Sequence, residues 1–583
     1  MNFLKNIISS AIGFMVAAGF LIIFTVVVVV VLGSDNEVKV SENSILRLEL
    51  NKEIKDFAPM EIDPFAQILG LPPQYLGLNE ILSAIEKAKS DPRIKGISIE
   101  GDLASGGITQ LFAIRNAIVD FKYSGKPVFA YADTYGQREY FLSSVADSVF
   151  VSPVGQVELK GLTSEILFFK DFQDKYGIKM EVIRHGKYKS AVEPFIANKM
   201  SESNRIQIKE LLGSLWFDMV DAISLSRGLS VDGINEIADG LLGRTSERSL
   251  KNNLVDGVLY KDEYKEKLKN IISVEKYETT RLIDYIQSNM SFDFEANSDA
   301  AKIAVIYAQG DIIYGEGDEE SIGQGMMVKA INKAAKNDAI KAIVLRVNSP
   351  GGSALASDLI WRALETAKKE KPLVVSMGDY AASGGYYISC NADSIFAESA
   401  TVTGSIGVFG ILPNASEFTN KIGIYSEKVN TNNSPSYSPF SKLDPKFHEV
   451  TKESVDQIYK TFVSKVAKGR GMSFDEVDQL AQGRVWTGKQ AKENGLIDAV
   501  GSLENAISSA ALLAEIEDYK IENYPKYEKD IRESFRKMPF MNLKEDLMKE
   551  WLGDANFILF KQLNTFKSVE GIQMGLPYLL KIK

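Results

Sequence analysis

Short apolar runs recur along this chain, separated by longer stretches whose apolar positions fall three and four apart. Ile45-Leu-Arg-Leu-Glu-Leu50, Ile94-Lys-Gly-Ile-Ser-Ile99, Ile303-Ala-Val-Ile-Tyr307, Ile340-Lys-Ala-Ile-Val-Leu345 and Pro372-Leu-Val-Val-Ser-Met377 read as strands. Leu78–Ala88 and Ala356–Thr366 carry helical spacing. Strands that alternate with helices predict βαβ units and a mostly parallel sheet. The run ending at Met377 is apolar almost without interruption, as in a strand buried on both faces.

The pattern repeats at a nearly constant offset of 246 residues. Ile94–Ile99 matches Ile340–Leu345, Ala146-Asp-Ser-Val-Phe150 matches Ala392-Asp-Ser-Ile-Phe396, and Lys175-Tyr-Gly-Ile178 matches Lys421-Ile-Gly-Ile424. Asn253-Leu-Val-Asp-Gly257 resembles Gly495-Leu-Ile-Asp-Ala499. The expectation is two copies of one α/β unit, 45–275 and 301–510, joined by a polar linker at 276–300 and followed by a tail, 511–583. The tail has amphipathic patterning, including Met538-Pro-Phe-Met541 and Trp551. That patterning suits packing on the body, on another subunit or on a membrane.

The N-terminus departs from this pattern. Between Asn6 and Gly33 there is no charged side chain, and Val26–Leu32 is nearly pure valine. The stretch 7–33 is long enough to span a bilayer and longer than the core of a cleaved signal sequence, the competing reading. Lys5 precedes it, and Asp35 and Glu37 follow. The charge bias puts residues 1–6 in the cytoplasm and everything after Gly33, beginning with a polar linker at 34–44, on the other side.

Composition narrows the chemistry. A net charge of −10 without a long Lys/Arg run argues against nucleic acid as a partner. Cys390 is the only cysteine, so no intrachain disulfide exists, and with two histidines, His185 and His448, no zinc cluster of ordinary spacing is available. No metal or other cofactor is expected.

The best candidate for chemistry is Asp379-Tyr-Ala-Ala-Ser-Gly-Gly-Tyr-Tyr387. It follows a predicted strand and opens a predicted helix, Gly384–Cys390, so Ser383 stands at a strand-to-helix turn on a rigid support. Asn348-Ser-Pro-Gly-Gly-Ser353 also follows a strand, and its glycines let backbone N–H groups approach a ligand closely. No Gly-Lys-Ser/Thr follows, which disfavours a phosphate loop. An oxyanion hole built from amides of Gly351 or Gly352 and of Gly384 is the better reading.

The two copies differ where it matters. Opposite Ser383 the first copy has Gln137. That copy instead carries Arg184-His-Gly-Lys-Tyr-Lys-Ser-Ala-Val-Glu-Pro-Phe195, while the matching stretch of the second, Asn430–Phe440, has no lysine or histidine. Each copy lacks what the other holds, as if one site had been divided between them. A serine hydroxyl needs a base, and Lys187, Lys189, His185 and His448 are candidates. A lysine base must be neutral. With a reference pKa near 10.4, about four in ten thousand would be neutral at pH 7, so the lysine would have to be buried.

Tyr188-Lys-Ser-Ala-Val-Glu-Pro-Phe195, Asn348–Ser353, Ala381-Ala-Ser-Gly-Gly-Tyr386, Thr403-Gly-Ser-Ile-Gly407 and Gly483-Arg-Val-Trp-Thr-Gly488, in that order, resemble the bacterial signal peptide peptidase A (protease IV) family in its long, two-repeat form. The resemblance runs from about Leu46 to Leu513, plus the anchor. It implies an α/β fold, a tandem duplication of a crotonase/Clp-protease-like unit with an N-terminal transmembrane helix. It implies a Ser-Lys dyad with Ser383 as nucleophile, Lys189 as general base and Ser405 as a supporting hydroxyl. It further implies a membrane-bound serine endopeptidase that degrades cleaved signal peptides and other short hydrophobic peptides. Such an enzyme would sit in the bacterial inner membrane, its bulk on the periplasmic side, as a homo-oligomeric ring, by resemblance a homotetramer. Two other functions fit the same residues: an inactive membrane-anchored scaffold, and a crotonase-type acyl-transfer enzyme.

Overall fold

The computed structural model describes residues 10, 13–17, 19–20, 40–58, 75–101, 106–272, 276–290, 300–527 and 572–575. The chain divides into two compact units. One comprises Met1–Lys160 with Ile223–Ala296, the other Gly161–Ala222 with Asn297–Lys583.

The first unit is built on a six-stranded, wholly parallel sheet. Its strands are β1 (Ser44–Leu48), β4 (Ile94–Glu100), β5 (Val128–Ala132), β6 (Ser148–Val151), β8 (Gly257–Val258) and β9 (Glu278–Arg281), in the order β8-β6-β5-β4-β1-β9. A small parallel ladder joins β2 (Glu53–Lys55) to β3 (Tyr75–Gly77). Helices Leu78–Ser90, Ile108–Lys122 and Gln137–Ser143 provide the crossovers that parallel strands require.

The second unit repeats this plan. Strands β10 (Ala301–Gln309), β13 (Ile340–Ser349), β15 (Leu373–Ala382), β16 (Ser394–Ala397), β20 (Ala499–Val500) and β21 (Tyr519–Tyr524) are parallel in the order β20-β16-β15-β13-β10-β21, which matches the first unit strand for strand. Every residue from Ala342 to Leu345 is fully buried, as are Leu373–Val375 beside them. Burial on both faces is why these strands are apolar at consecutive positions.

β15 is longer than its counterpart β5. Its first half pairs with β16, and its last residues, Tyr380–Ala382, pair with β17 (Val402–Gly404), which carries β19 (Val485–Thr487) antiparallel. A third, mixed sheet runs β12-β11-β14-β22-β18-β7, from β12 (Ser321–Gly323), β11 (Asp311–Ile313), β14 (Gly351–Ser353), β22 (Ile572–Gly575), β18 (Val408–Asn414) and β7 (Lys179–His185).

One stretch differs from expectation, and part of the tail takes one of its three expected places. Within the expected linker, residues 278–290 form β9 and helix Leu282–Met290, because Leu282, Tyr285 and Ile286 fall on one helical face and are buried. In the tail, β21 and β22 join sheets of the second unit, so these parts pack on the body. Met538–Met541 and Trp551 lie outside the described residues, as does most of 7–33. Among the described residues no helix is long and apolar enough to cross a membrane.

Candidate active site

Ser383 follows the last residue of β15. Its backbone has φ 57° and ψ −114°, a conformation that non-glycine residues rarely adopt. The surroundings enforce it. The Ser383 amide donates to the Gly404 carbonyl at 2.8 Å, and the Ser383 carbonyl accepts from the Tyr387 amide at 2.9 Å. The helix that follows, Gly384–Ser389, is wholly buried. Its tyrosines are pinned, Tyr386 donating to the Leu496 carbonyl at 2.7 Å and Tyr387 to Asp358 at 2.5 Å.

Lys189 arrives from the other direction. β7 pairs antiparallel with β18 from Lys179↔Asn414 to His185↔Val408, which ties residues 179–185 to the serine-bearing unit. The chain then turns, and the Tyr188 amide donates to the Gln482 carbonyl at 2.8 Å. Lys187 stays exposed, whereas Lys189 is completely buried. The Lys189 Nζ lies 2.9 Å from Ser383 Oγ, 3.0 Å from Ser405 Oγ and 3.2 Å from the Ser405 carbonyl oxygen. Its stem passes Gly407, and the Phe409 ring centroid is 5.8 Å from Nζ. Burial alone holds the Lys189 ammonium well below the ordinary lysine range, with no carboxylate to offset it. A neutral amine suits the geometry, since it donates to Ser405 while its lone pair accepts from the Ser383 hydroxyl.

Ser405 is positioned from its backbone. Its φ is 50°, and its amide donates to the Arg484 carbonyl at 2.6 Å. Gln207 on helix Glu202–Arg227 ties the lysine loop to the same segment. Its Nε2 donates to Ser190 Oγ at 3.0 Å, and its Oε1 accepts from the Val485 amide at 3.2 Å. Gln482 and Gln207 were not singled out from the sequence. The nearest signal was the neighbouring motif Gly483–Gly488.

The glycine turn lies against the start of the serine's helix. Gly351 has φ +103°, open to glycine but strained for other residues. Its amide donates to Ser349 Oγ at 3.2 Å. The amide nitrogen of Gly352 lies 3.2 Å from the point where a Cβ on Gly384 would stand. The glycine turn therefore lies against Gly384, the residue that follows Ser383.

Of the other candidate bases, His185 is engaged elsewhere. His185 Nδ1 lies 2.6 Å from Asp456 Oδ1, and its ring stacks on Tyr459 with centroids 3.9 Å apart. His448 sits half-buried in the first turns of helix Pro445–Arg470. Gln137 of the first unit accepts from the Lys160 amide at 2.9 Å. Among the described residues no group of three or more His, Cys, Asp or Glu is placed to hold a metal ion.

Residues 120–275 and 365–517 match the model of peptidase family S49, once in each copy. Protease 4 of Haemophilus influenzae is 36% identical over 468 residues, covering 77% of this chain and 76% of that protein. The chloroplastic serine protease SPPA of Arabidopsis thaliana is 32% identical over 487 residues, covering 82% and 70%. A protein of Enterococcus faecium named as a signal peptide peptidase SppA is 37% identical over 196 residues, covering 33% and 57%. Among solved structures, a ClpP1 mutant from Listeria monocytogenes matches 35% of this chain and 94% of its own at 13% identity and a TM-score of 0.24, too low to weigh on the fold. On the family match and the long relatives, the chain belongs to peptidase family S49 and is a serine peptidase.

Proposed function

We propose that Ser383 is the nucleophile and Lys189 the general base of a Ser-Lys peptidase, with Ser405 orienting the lysine. The observation that carries this reading is a fully buried lysine amine 2.9 Å from the hydroxyl of a strained serine. Neutral Lys189 takes the proton of Ser383 as Oγ attacks a peptide carbonyl. The amides of Gly384 and Gly352 would hold the oxyanion that develops, the Gly351 amide being taken up by Ser349 Oγ. Lys189 then passes its proton to the leaving amine, and water hydrolyses the acyl-enzyme.

The substrates we infer are cleaved signal peptides and other short hydrophobic peptides. Support comes from the named activity of the Enterococcus faecium relative and from the uncharged N-terminal stretch, which would hold the enzyme in the inner membrane with its bulk on the periplasmic side. A ring of subunits, each a tandem of crotonase/Clp-protease-like units, belongs to the same reading. The identical strand order in the two sheets supports the tandem.

The test is hydrolysis of hydrophobic peptides by the detergent-solubilised protein beside Ser383→Ala and Lys189→Ala. Each substitution should remove about a thousandfold or more of the turnover, because dyad members act as a unit. Activity surviving in Lys189→Ala but lost in His185→Ala would reject the lysine as base. A wild-type protein inert on many peptides and unlabelled by a serine-directed probe would leave the scaffold reading standing.

A further inference from the structure

A row of buried polar side chains stands behind the lysine loop, and the reaction itself uses none of them. Ser190, Glu193, Asn204 and Gln207 keep no more than 3% of their surfaces. Glu193 Oε2 accepts from Asn204 Nδ2 at 3.0 Å and from the Ser201 amide at 3.2 Å. Asn204 Oδ1 in turn accepts from Gln207 Nε2 at 3.2 Å. The same nitrogen donates to Ser190 Oγ at 3.0 Å and lies 3.4 Å from the Tyr188 carbonyl oxygen. Asn204 and Gln207 are three apart on helix Glu202–Arg227, so their side chains are neighbours on one face. The Val485 N–H can only donate, which dictates the orientation of the Gln207 amide. Its Oε1 faces Val485 and its Nε2 faces the loop.

The two ends of that amide hold opposite walls of the site. On the lysine side, Ser190 Oγ also donates to the Tyr188 carbonyl at 2.8 Å, so one bond from Gln207 gathers both chain neighbours of Lys189. On the serine side, Val485 pairs with Gly404, whose carbonyl takes the Ser383 amide. Arg484, next in the chain to Val485, takes the Ser405 amide on its carbonyl. Lys189, Ser383 and Ser405 are thus each tied through backbone to one side chain. A stem as flexible as that of lysine keeps its aim only when its loop is fixed from outside.

Resting on the Ser-Lys reading, we propose that Gln207 is a positioning residue, setting the spacing between Lys189 and the two serines that Lys189 must reach. It touches none of the reacting atoms and acts through Ser190 and Val485. Asn204 and Glu193 hold its amide from behind. A displacement of about 1 Å between the two walls is worth about a hundredfold in rate.

The experiment uses the full-length, detergent-solubilised protein and a hydrophobic peptide. Gln207→Leu keeps most of the bulk of the side chain and removes both links. Its kcat should fall by between about tenfold and about a hundredfold, with KM within about twofold of wild type. Ser190→Ala opens only the lysine side and should cost about tenfold, the scale of one hydrogen bond. It is the milder change and carries the test should Gln207→Leu fail to fold. The double variant should be no slower than Gln207→Leu, since the link it breaks is already gone. Amide hydrogen exchange is read on the same proteins. Val485 and residues 186–192 should be protected in wild type and exchange about tenfold faster in Gln207→Leu, with β13 still slow. An unchanged kcat in both single variants, beside a dead Lys189→Ala, overturns the proposal and leaves the dyad standing. Losses that multiply in the double variant, or a raised KM at unchanged kcat, also overturn it. Unaltered exchange at 186–192 overturns it too, and that result stands even for a protein with no peptidase activity.

Discussion

The backbone of Gly483 lies directly against that of Lys189. A Cβ on Gly483 would stand 2.6 Å from the Lys189 amide nitrogen and 2.7 Å from its Cα, and Gly483 has φ +82°. A side chain here must push the lysine loop away from Ser383. Gly483→Ala should lower kcat by about a hundredfold, the scale of a 1 Å misplacement, and leave KM nearly unchanged. Steady-state kinetics on a variant with native circular dichroism checks this, and an unchanged kcat would deny the contact a positioning role.

Peptidase activity should rise with pH through the lowered pKa of Lys189. The neutral amine is the reactive form, and burial favours it. The acid limb of the kcat/KM profile therefore belongs below the ordinary lysine range. A limb near pH 10 would mean that the working base is a solvated lysine.

Ser405→Ala removes the hydroxyl 3.0 Å from Lys189 Nζ and leaves the carbonyl at 3.2 Å. One lost hydrogen bond of about 1.4 kcal/mol corresponds to about tenfold in kcat. Rescue by Ser405→Thr, with the same hydroxyl, would tie the loss to the hydrogen bond and not to the turn.

Lys189→Met should abolish activity and stabilise the fold. Burial lowers the Lys189 pKa in the folded state relative to the unfolded chain, so wild-type stability rises with pH between the lowered pKa and the ordinary one. The methionine variant lacks that slope. Its advantage over wild type should grow by about 1.4 kcal/mol per pH unit as pH falls from near 10.4, then level off below the folded pKa. Urea unfolding at several pH values measures it, and parallel curves would refute a buried neutral lysine.

Cys390 should be unreactive in the native protein. It is fully buried, and burial pushes its thiol up to about 12. Alkylation at pH 8 should follow global unfolding, and rapid labelling of the native fold would contradict its burial.

β1, β4, β10, β13 and β15 were legible because burial forces closely spaced apolar residues, and the duplication displayed the pattern twice. Ser383 and the glycine turns were legible because each occupies a strand end, where local sequence dictates a turn. The choice between Lys187 and Lys189 rested on the family resemblance alone, because local pattern does not separate them. Two residues apart on one loop, they differ only in that Lys189 meets Gly407, Gly483 and Phe409, all distant in sequence. β9 was missed because Glu-Thr-Thr-Arg is an edge strand with one buried position. β22 was missed because four residues carry too little period, and its partners lie in β14 and β18, far back along the chain.

Lys189 and Ser383 are 194 residues apart in sequence, and the segment that carries the lysine belongs to the later compact unit. During synthesis the lysine loop emerges well before the strands that bury it. Pairings of such long range form late. A partly made chain therefore holds a charged, solvated lysine and no serine beside it. On the dyad proposed above, a chain whose synthesis has not yet passed Ser383 would hold the base without its nucleophile.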